Sequence, residues 1–164
     1  MLSAKLQDAL NRQINAEFYS SYLYLSMAAY FEAADLKGMA HWMRIQAAEE
    51  TAHALRIFDY INNRSGRVTL APVDAPKIEW KSVVEVFEDS YKHEQKITGM
   101  INELFNLAAT ERDASTHDFL EWFAREQVEE ESAAQLIVAQ AKRVGDAGLG
   151  VYLLDQELGK RVAA

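Results

Sequence analysis

The chain contains no cysteine. Disulfides, iron–sulfur clusters and thiol catalysis are therefore excluded, and the composition suits a reducing cytoplasm. Two prolines and seven glycines are few for 164 residues, which favours long uninterrupted helices. No stretch is apolar enough to span a bilayer, and Met1–Leu6 lacks the apolar run of a signal peptide. Positive charge is also scarce: 17 Lys and Arg stand against 25 Asp and Glu, a formal net charge of -8. An acidic chain repels nucleic acid and attracts cations, besides gaining solubility. What is present is a globular composition, 49% hydrophobic and 26% charged, of a length that suits one domain with a sizeable core.

Apolar residues recur at spacings of three and four along four long segments, the inner stripes of bundle helices. The pattern predicts an all-α protein in one domain spanning residues 1–164, with helices over about 3–34, 39–64, 82–111 and 115–144 and a short fifth over about 149–161. The first stripe is Leu6, Leu10, Gln13, Glu17, Ser20, Tyr24, Met27, Phe31. The second is Met39, Met43, Gln46, Glu50, His53, Ile57, Tyr60. The third is Phe87, Tyr91, Glu94, Thr98, Ile101, Phe105, Ala108, and the fourth Thr116, Leu120, Phe123, Gln127, Glu130, Ala134, Ile137, Ala141. Short turns make the first and second helices, and the third and fourth, antiparallel neighbours, with Gly38 closing the first turn. Between the pairs, residues 66–81 carry Pro72 and Pro76. A connection of that length can run along a whole helix, so that the third helix starts at the same end as the second. Ser82 with Glu85 reads as a capping box, and Ser115 with Asp118 as a weaker cap for the fourth helix. The fifth helix is too short to stand alone, so Leu149, Leu153, Leu154 and Leu158 are expected to dock on the bundle.

Each long stripe is broken near its middle by a glutamate: Glu17, Glu50 with His53, Glu94, and Glu130 with Gln127. Mid-helix positions share a height whichever way a bundle helix runs, so the four breaks meet in the core. Four carboxylates at one place in a dry interior cannot all stay ionised unless cations neutralise them. Four negative charges match two divalent ions. Hard oxygen donors with one imidazole suit iron or manganese better than a closed structural zinc site. Glu50-Thr51-Ala52-His53 is one Glu-x-x-His pair of the kind that dinuclear bundles carry twice; Gln127-x-x-Glu130 departs from the other.

The stretches Asn11–Glu17, Ala48–His53, His93-Glu94 and Trp122–Glu131, in this order on four helices, resemble the bacterial non-haem ferritins over nearly the whole chain. The resemblance implies a ferritin-like four-helix bundle that oxidises Fe(II) with dioxygen or peroxide and stores Fe(III) mineral inside a hollow homo-oligomeric shell, typically of twenty-four subunits, in the cytoplasm. By position, Glu17 and His53 would bind a first iron, Glu50 would bridge, and Glu94 and Glu130 would bind a second, held more loosely for want of a histidine. Gln127 would sit beside the site and orient it or dioxygen. Glu49, Glu126 and Glu129 match a third iron position, with Tyr24 between it and the pair. Asp118 and Glu121 match channel carboxylates, although acids at a helix N-terminus are favoured anyway. Ala52 stands where haem-containing relatives carry methionine, so no haem is expected. Trp122 is read as packing, and His41, His93 and His117 receive no role. A di-iron peroxidase or oxygenase without storage is the alternative, although the chain has no Cys-x-x-Cys electron-transfer module. A DNA-shielding shell is disfavoured because Lys160 and Arg161 are the only basic residues of the C-terminal tail and phosphate binding depends on positive charge.

Overall fold

The computed structural model describes residues 1–164, which form five helices and no strand: α1 (Ala4–Ala33), α2 (Lys37–Asn63), α3 (Val83–Thr110), α4 (Ala114–Val144) and α5 (Leu149–Leu158). The periodicity places every long helix to within two residues. α1 packs on α2, α3 on α4 and α1 on α3, while α5 lies against α2 and α4. No helix is long and apolar enough to cross a membrane.

The residues that end and begin the helices differ from expectation in two places. The turn after α1 is closed by Asp35 at φ 57, with Leu36 N donating to Phe31 O at 2.9 Å, a left-handed cap that satisfies the last carbonyls. Gly38 is not the turn residue. It lies in the first turn of α2, and a Cβ there would come within 1.8 Å of Asp155 O, so glycine is required by the close approach of α5. At α4 the cap is Asp113 and not Ser115: Asp113 Oδ1 accepts from Thr116 N at 2.9 Å. Arg64 holds the Asp113 carboxylate at 3.0 and 2.9 Å and pushes its pKa down to about 2. Ser82 caps α3 as expected, accepting from Glu85 N at 3.1 Å.

Residues 66–81 have no regular structure and run along α1. Asn11 donates to Arg67 O at 3.0 Å and accepts from Thr69 N at 2.9 Å. Asn15 donates to Pro72 O at 3.0 Å, and Ser26 to Lys77 O at 2.6 Å. Side chains of α1 thus take the place of a sheet partner for this backbone. The connection travels the way α1 does, so α3 starts where α2 starts.

The stripes of α1 and α4 are buried throughout, and that of α2 up to its last residue, Tyr60, which is half-buried. α3 is rotated by one residue from the expected register: Tyr91, Thr98 and Phe105 are half-buried, and Ser90, Ile97 and Leu104 fill the core beside Phe87, Ile101 and Ala108. In α5, Leu154 and Leu158 dock with Val151, but Leu149 and Leu153 stay 71% and 56% exposed. The other buried residue of α5 is Asp155, whose Oδ1 accepts from Met39 N at 2.8 Å, one of the orphan donors at the start of α2. Asp155→Ala is expected to lower the unfolding free energy by about 1–2 kcal/mol, read as a lower denaturant midpoint at unchanged m value.

The apolar core falls into two blocks. One gathers Met27, Phe31, Met43, Phe87 and Ile137; the other gathers Leu6, Leu10, Ile57, Ile101 and Leu120. The polar breaks of the four stripes lie between them.

Candidate metal centre

Six side chains from all four long helices form this layer, and all are buried: Glu17 1% exposed, Glu50 2%, Glu94 2%, Gln127 4%, His53 5% and Glu130 7%. Glu50, His53, Gln127 and Glu130 face inward for the same reason, being one turn apart on stripes that are otherwise apolar. The candidate ligand atoms fall into three groups, each within 4.8 Å: Glu17, Glu50 and His53; Glu50, Glu94 and Glu130; and His53, Glu126 and Glu130. Glu50 belongs to the first two, the position of a bridge between two ions. His53 Nδ1 lies 3.1 Å from Glu50 Oε2 and 4.0 Å from Glu17 Oε2.

The electrostatics are those of acids crowded without enough positive charge. Burial, and then the neighbouring Glu50, push the Glu17 pKa up to about 8. Burial and the Glu94 charge push Glu130 up to about 7. Glu50 and Glu94 are raised as well, in both cases chiefly by burial. Glu17 Oε2 is buried with no hydrogen-bond partner, an orphan acceptor that the fold tolerates at a cost. A cation shared with Glu50 and His53 would satisfy it.

Neutral donors hold the remaining oxygens. Gln13 Nε2 donates to Glu17 Oε1 at 2.8 Å. Gln46 Nε2 donates to Glu50 Oε1 at 3.0 Å and to Glu130 Oε2 at 2.7 Å, tying α2 to α4. Gln127 Nε2 donates to Glu94 Oε2 at 3.1 Å and to Thr98 Oγ1 at 3.3 Å, so its amide orients a carboxylate. Tyr24 OH donates to Glu94 Oε1 and lies 3.2 Å from Ser90 Oγ. Burial and the Glu94 charge keep that phenol protonated, with its pKa well above the usual value. Trp122 stands edge-on to His53 at 5.4 Å between ring centroids, with the Arg56 guanidinium 4.2 Å above its ring, which fits the packing role expected of it.

Two further features lie at the edge of this layer. Glu49, Glu126 and Glu129 do not form one group: Glu126 joins His53 and Glu130, Glu129 is exposed, and Glu49 Oε2 accepts from Arg161 Nη2 at 2.6 Å. His93 has a place after all. It is buried, its Nε2 is 2.7 Å from Ser20 Oγ, and burial, with Lys96 nearby, pushes its pKa down to about 4. Gln13 and Gln46 carried no signal except their stripe positions, and His93 lay off the expected stripe; Arg161 carried none.

Fold and site together define a class: a helical bundle with a buried layer of carboxylates and one imidazole at its waist, groups able to hold metal. The chain belongs to the ferritin family, whose ferritin-like domain model matches residues 7–144. It is 47% identical over 161 residues to the bacterial non-haem ferritin of Bacteroides fragilis, covering 98% of this chain and 100% of that one. It is 40% identical over 161 residues to that of Staphylococcus aureus, covering 98% and 97%. Among solved structures, an open-pore ferritin from the hyperthermophilic archaeon Archaeoglobus fulgidus superposes with a TM-score of 0.97 at 47% identity, covering 98% of each chain. An engineered closed form of the A. fulgidus ferritin gives 0.98 at 46% identity, covering 100% of each.

Proposed function

We propose that this protein is an iron-storage ferritin with ferroxidase activity, working as a homo-oligomeric shell in a reducing cytoplasm. One observation carries the reading: four buried carboxylates from four helices share one level, and Glu50 is common to two ligand groups. Iron is the substrate. Glu17 and His53 take one Fe(II), Glu94 and Glu130 the other, and Glu50 spans both. Each Fe(II) gives one electron to the same dioxygen, which takes two protons and leaves as hydrogen peroxide. With peroxide as oxidant, the pair of electrons and two protons yield two waters. Because both electrons come from neighbouring ions, no one-electron oxygen radical need escape. The carboxyl protons displaced when Fe(II) binds are available locally, since the raised pKa values leave Glu17 and Glu130 partly protonated near neutrality.

The second position has no histidine of its own, so Fe(III), which prefers hard oxygen donors, is held there by carboxylates alone. Glu126, within reach of His53 and Glu130, connects the pair to the acidic flank that includes Glu129. Tyr24 and Gln127 keep Glu94 aimed.

The test is to add Fe(II) in air to the assembled protein, follow oxo-ferric absorbance, and then size the product. Rapid oxidation with iron retained in a large particle is expected, whereas turnover without retained iron would favour a peroxidase or oxygenase. Glu130→Ala should slow the reaction by about tenfold or more, because loss even of outer-shell partners costs about 10–100-fold.

A further inference from the structure

Arg161 follows the last turn of α5, yet its side chain is only 20% exposed. Its guanidinium lies 4.3 Å above the Trp42 ring. Nη2 donates to Glu49 Oε2 at 2.6 Å, and Nη1 to Gln46 Oε1 at 2.8 Å and Trp42 O at 3.4 Å. Its carbonyl accepts from His41 Nε2 at 2.9 Å. The chain leading to it is fixed by the Asp155–Met39 bond and by Gly159, which lies against Gly38 so closely that a Cβ at Gly159 would be 3.1 Å from the Gly38 Cα. This differs from an exposed surface ion pair, where two mobile side chains gain little. A planar fork is stacked on an aromatic face and uses several donors at once.

Its contacts lead directly to the centre. Gln46 is 1% exposed, and its amide can turn either oxygen or nitrogen toward the acids. Arg161 takes the oxygen, which leaves the nitrogen for Glu50 and Glu130. The same guanidinium neutralises Glu49, the acid beside Glu50 on α2. Glu126 groups with His53 and Glu130 and not with Glu49, so the acids of this flank do not converge on a common point.

We propose that Arg161 is a built-in cation that takes the place of a third metal ion at Glu49, and that the tail thereby limits each subunit to two tightly held ions. This rests on the dinuclear reading of the same centre. Arg161 acts as a positioning and charge-compensating residue and touches no reacting atom. Its loss should free a carboxylate one residue from the bridge and allow a further cation to bind.

The test is equilibrium dialysis of assembled protein against Co(II) at neutral pH, counting tight ions per chain. Wild type should hold two and Arg161→Gln three, and Arg161→Gln combined with Glu49→Gln should return to two. Helicity and particle mass should not change, and truncation after Lys160 gives a second variant if glutamine disturbs folding. Three ions in the wild type, or two in both Arg161→Gln and the truncation, would overturn the inference and leave the dinuclear centre standing. No tight ion in the wild type would remove the dinuclear reading itself, and this inference with it.

Discussion

Glu50→Gln is expected to slow aerobic Fe(II) oxidation by about 10²-fold or more and, in the same protein, to stabilise the metal-free fold. Both effects come from one carboxylate. Glu50 is common to the groups formed with Glu17 and His53 and with Glu94 and Glu130, so its loss affects both ions, and an amide is a poor iron ligand. Loss of a ligand should cost at least as much as the 10–100-fold typical of outer-shell partners. Without ions, the same carboxylate is a liability. It is 2% exposed, and burial together with Glu94 and Glu130 drives its pKa upward. Glutamine keeps the volume, still accepts from Gln46 through its oxygen, and removes the charge that burial disfavours. At pH 8 in chelator, a gain of about 1–3 kcal/mol is expected from chemical denaturation, the range seen when buried charges give way to neutral groups of similar shape. Stopped-flow absorbance gives the rate. An unchanged rate would remove Glu50 from the site, and a less stable metal-free variant would show that its charge is already compensated.

Much of this centre was legible from residue spacing, because burying an acid is costly enough that glutamates in mid-stripe stand out. That logic placed Glu17, Glu50, His53, Glu94, Gln127 and Glu130 on four helices, and the structure brings these six side chains into one buried layer. It worked best for α1, α2 and α4, where the polar residues on the stripe are themselves buried. In α3 the aromatic Tyr91 and Phe105 drew the register one residue away from the true inner face, which carries Ser90, His93 and Ile97. A histidine beside an acid looks like a surface residue until Ser20, on another helix, is seen to bond it. Gly38 was misread for a related reason. Its glycine is dictated by a backbone 117 residues away, that of Asp155, and not by its own turn. Leu149 and Leu153 are apolar but exposed, so their hydrophobicity says nothing of where α5 touches its own bundle. Arg161 is the extreme case: nothing near it in sequence points to Gln46 or Glu49, and only the docking of α5 brings it there.

The metal-free protein should become less stable as pH rises from about 6.5 to 8, and Fe(II) under argon should reverse that slope. The direction follows from proton uptake. An unfolded glutamate titrates near its usual 4.5, whereas folded Glu17 titrates at about 8. Between these values the native state holds the extra proton, so stability falls with rising pH. Glu130 adds the same trend up to about 7, and Glu50 and Glu94 act in the same direction. His93 opposes them at lower pH: its pKa falls from 6.5 to about 4 on folding, so it makes stability rise with pH across that interval. Above 6.5 its contribution is complete and the carboxylates act alone. At 1.36 kcal/mol per unit for each proton, the decline across the window should be about 2–4 kcal/mol, measured as unfolding free energy in urea with chelator present. Fe(II) changes the sign because it binds only deprotonated ligands and only the folded layer, so its stabilisation grows as protons leave. A flat profile in chelator would mean that the four acids are neutralised by something other than ions. A decline that persisted with Fe(II) under argon would mean that the ions bind elsewhere.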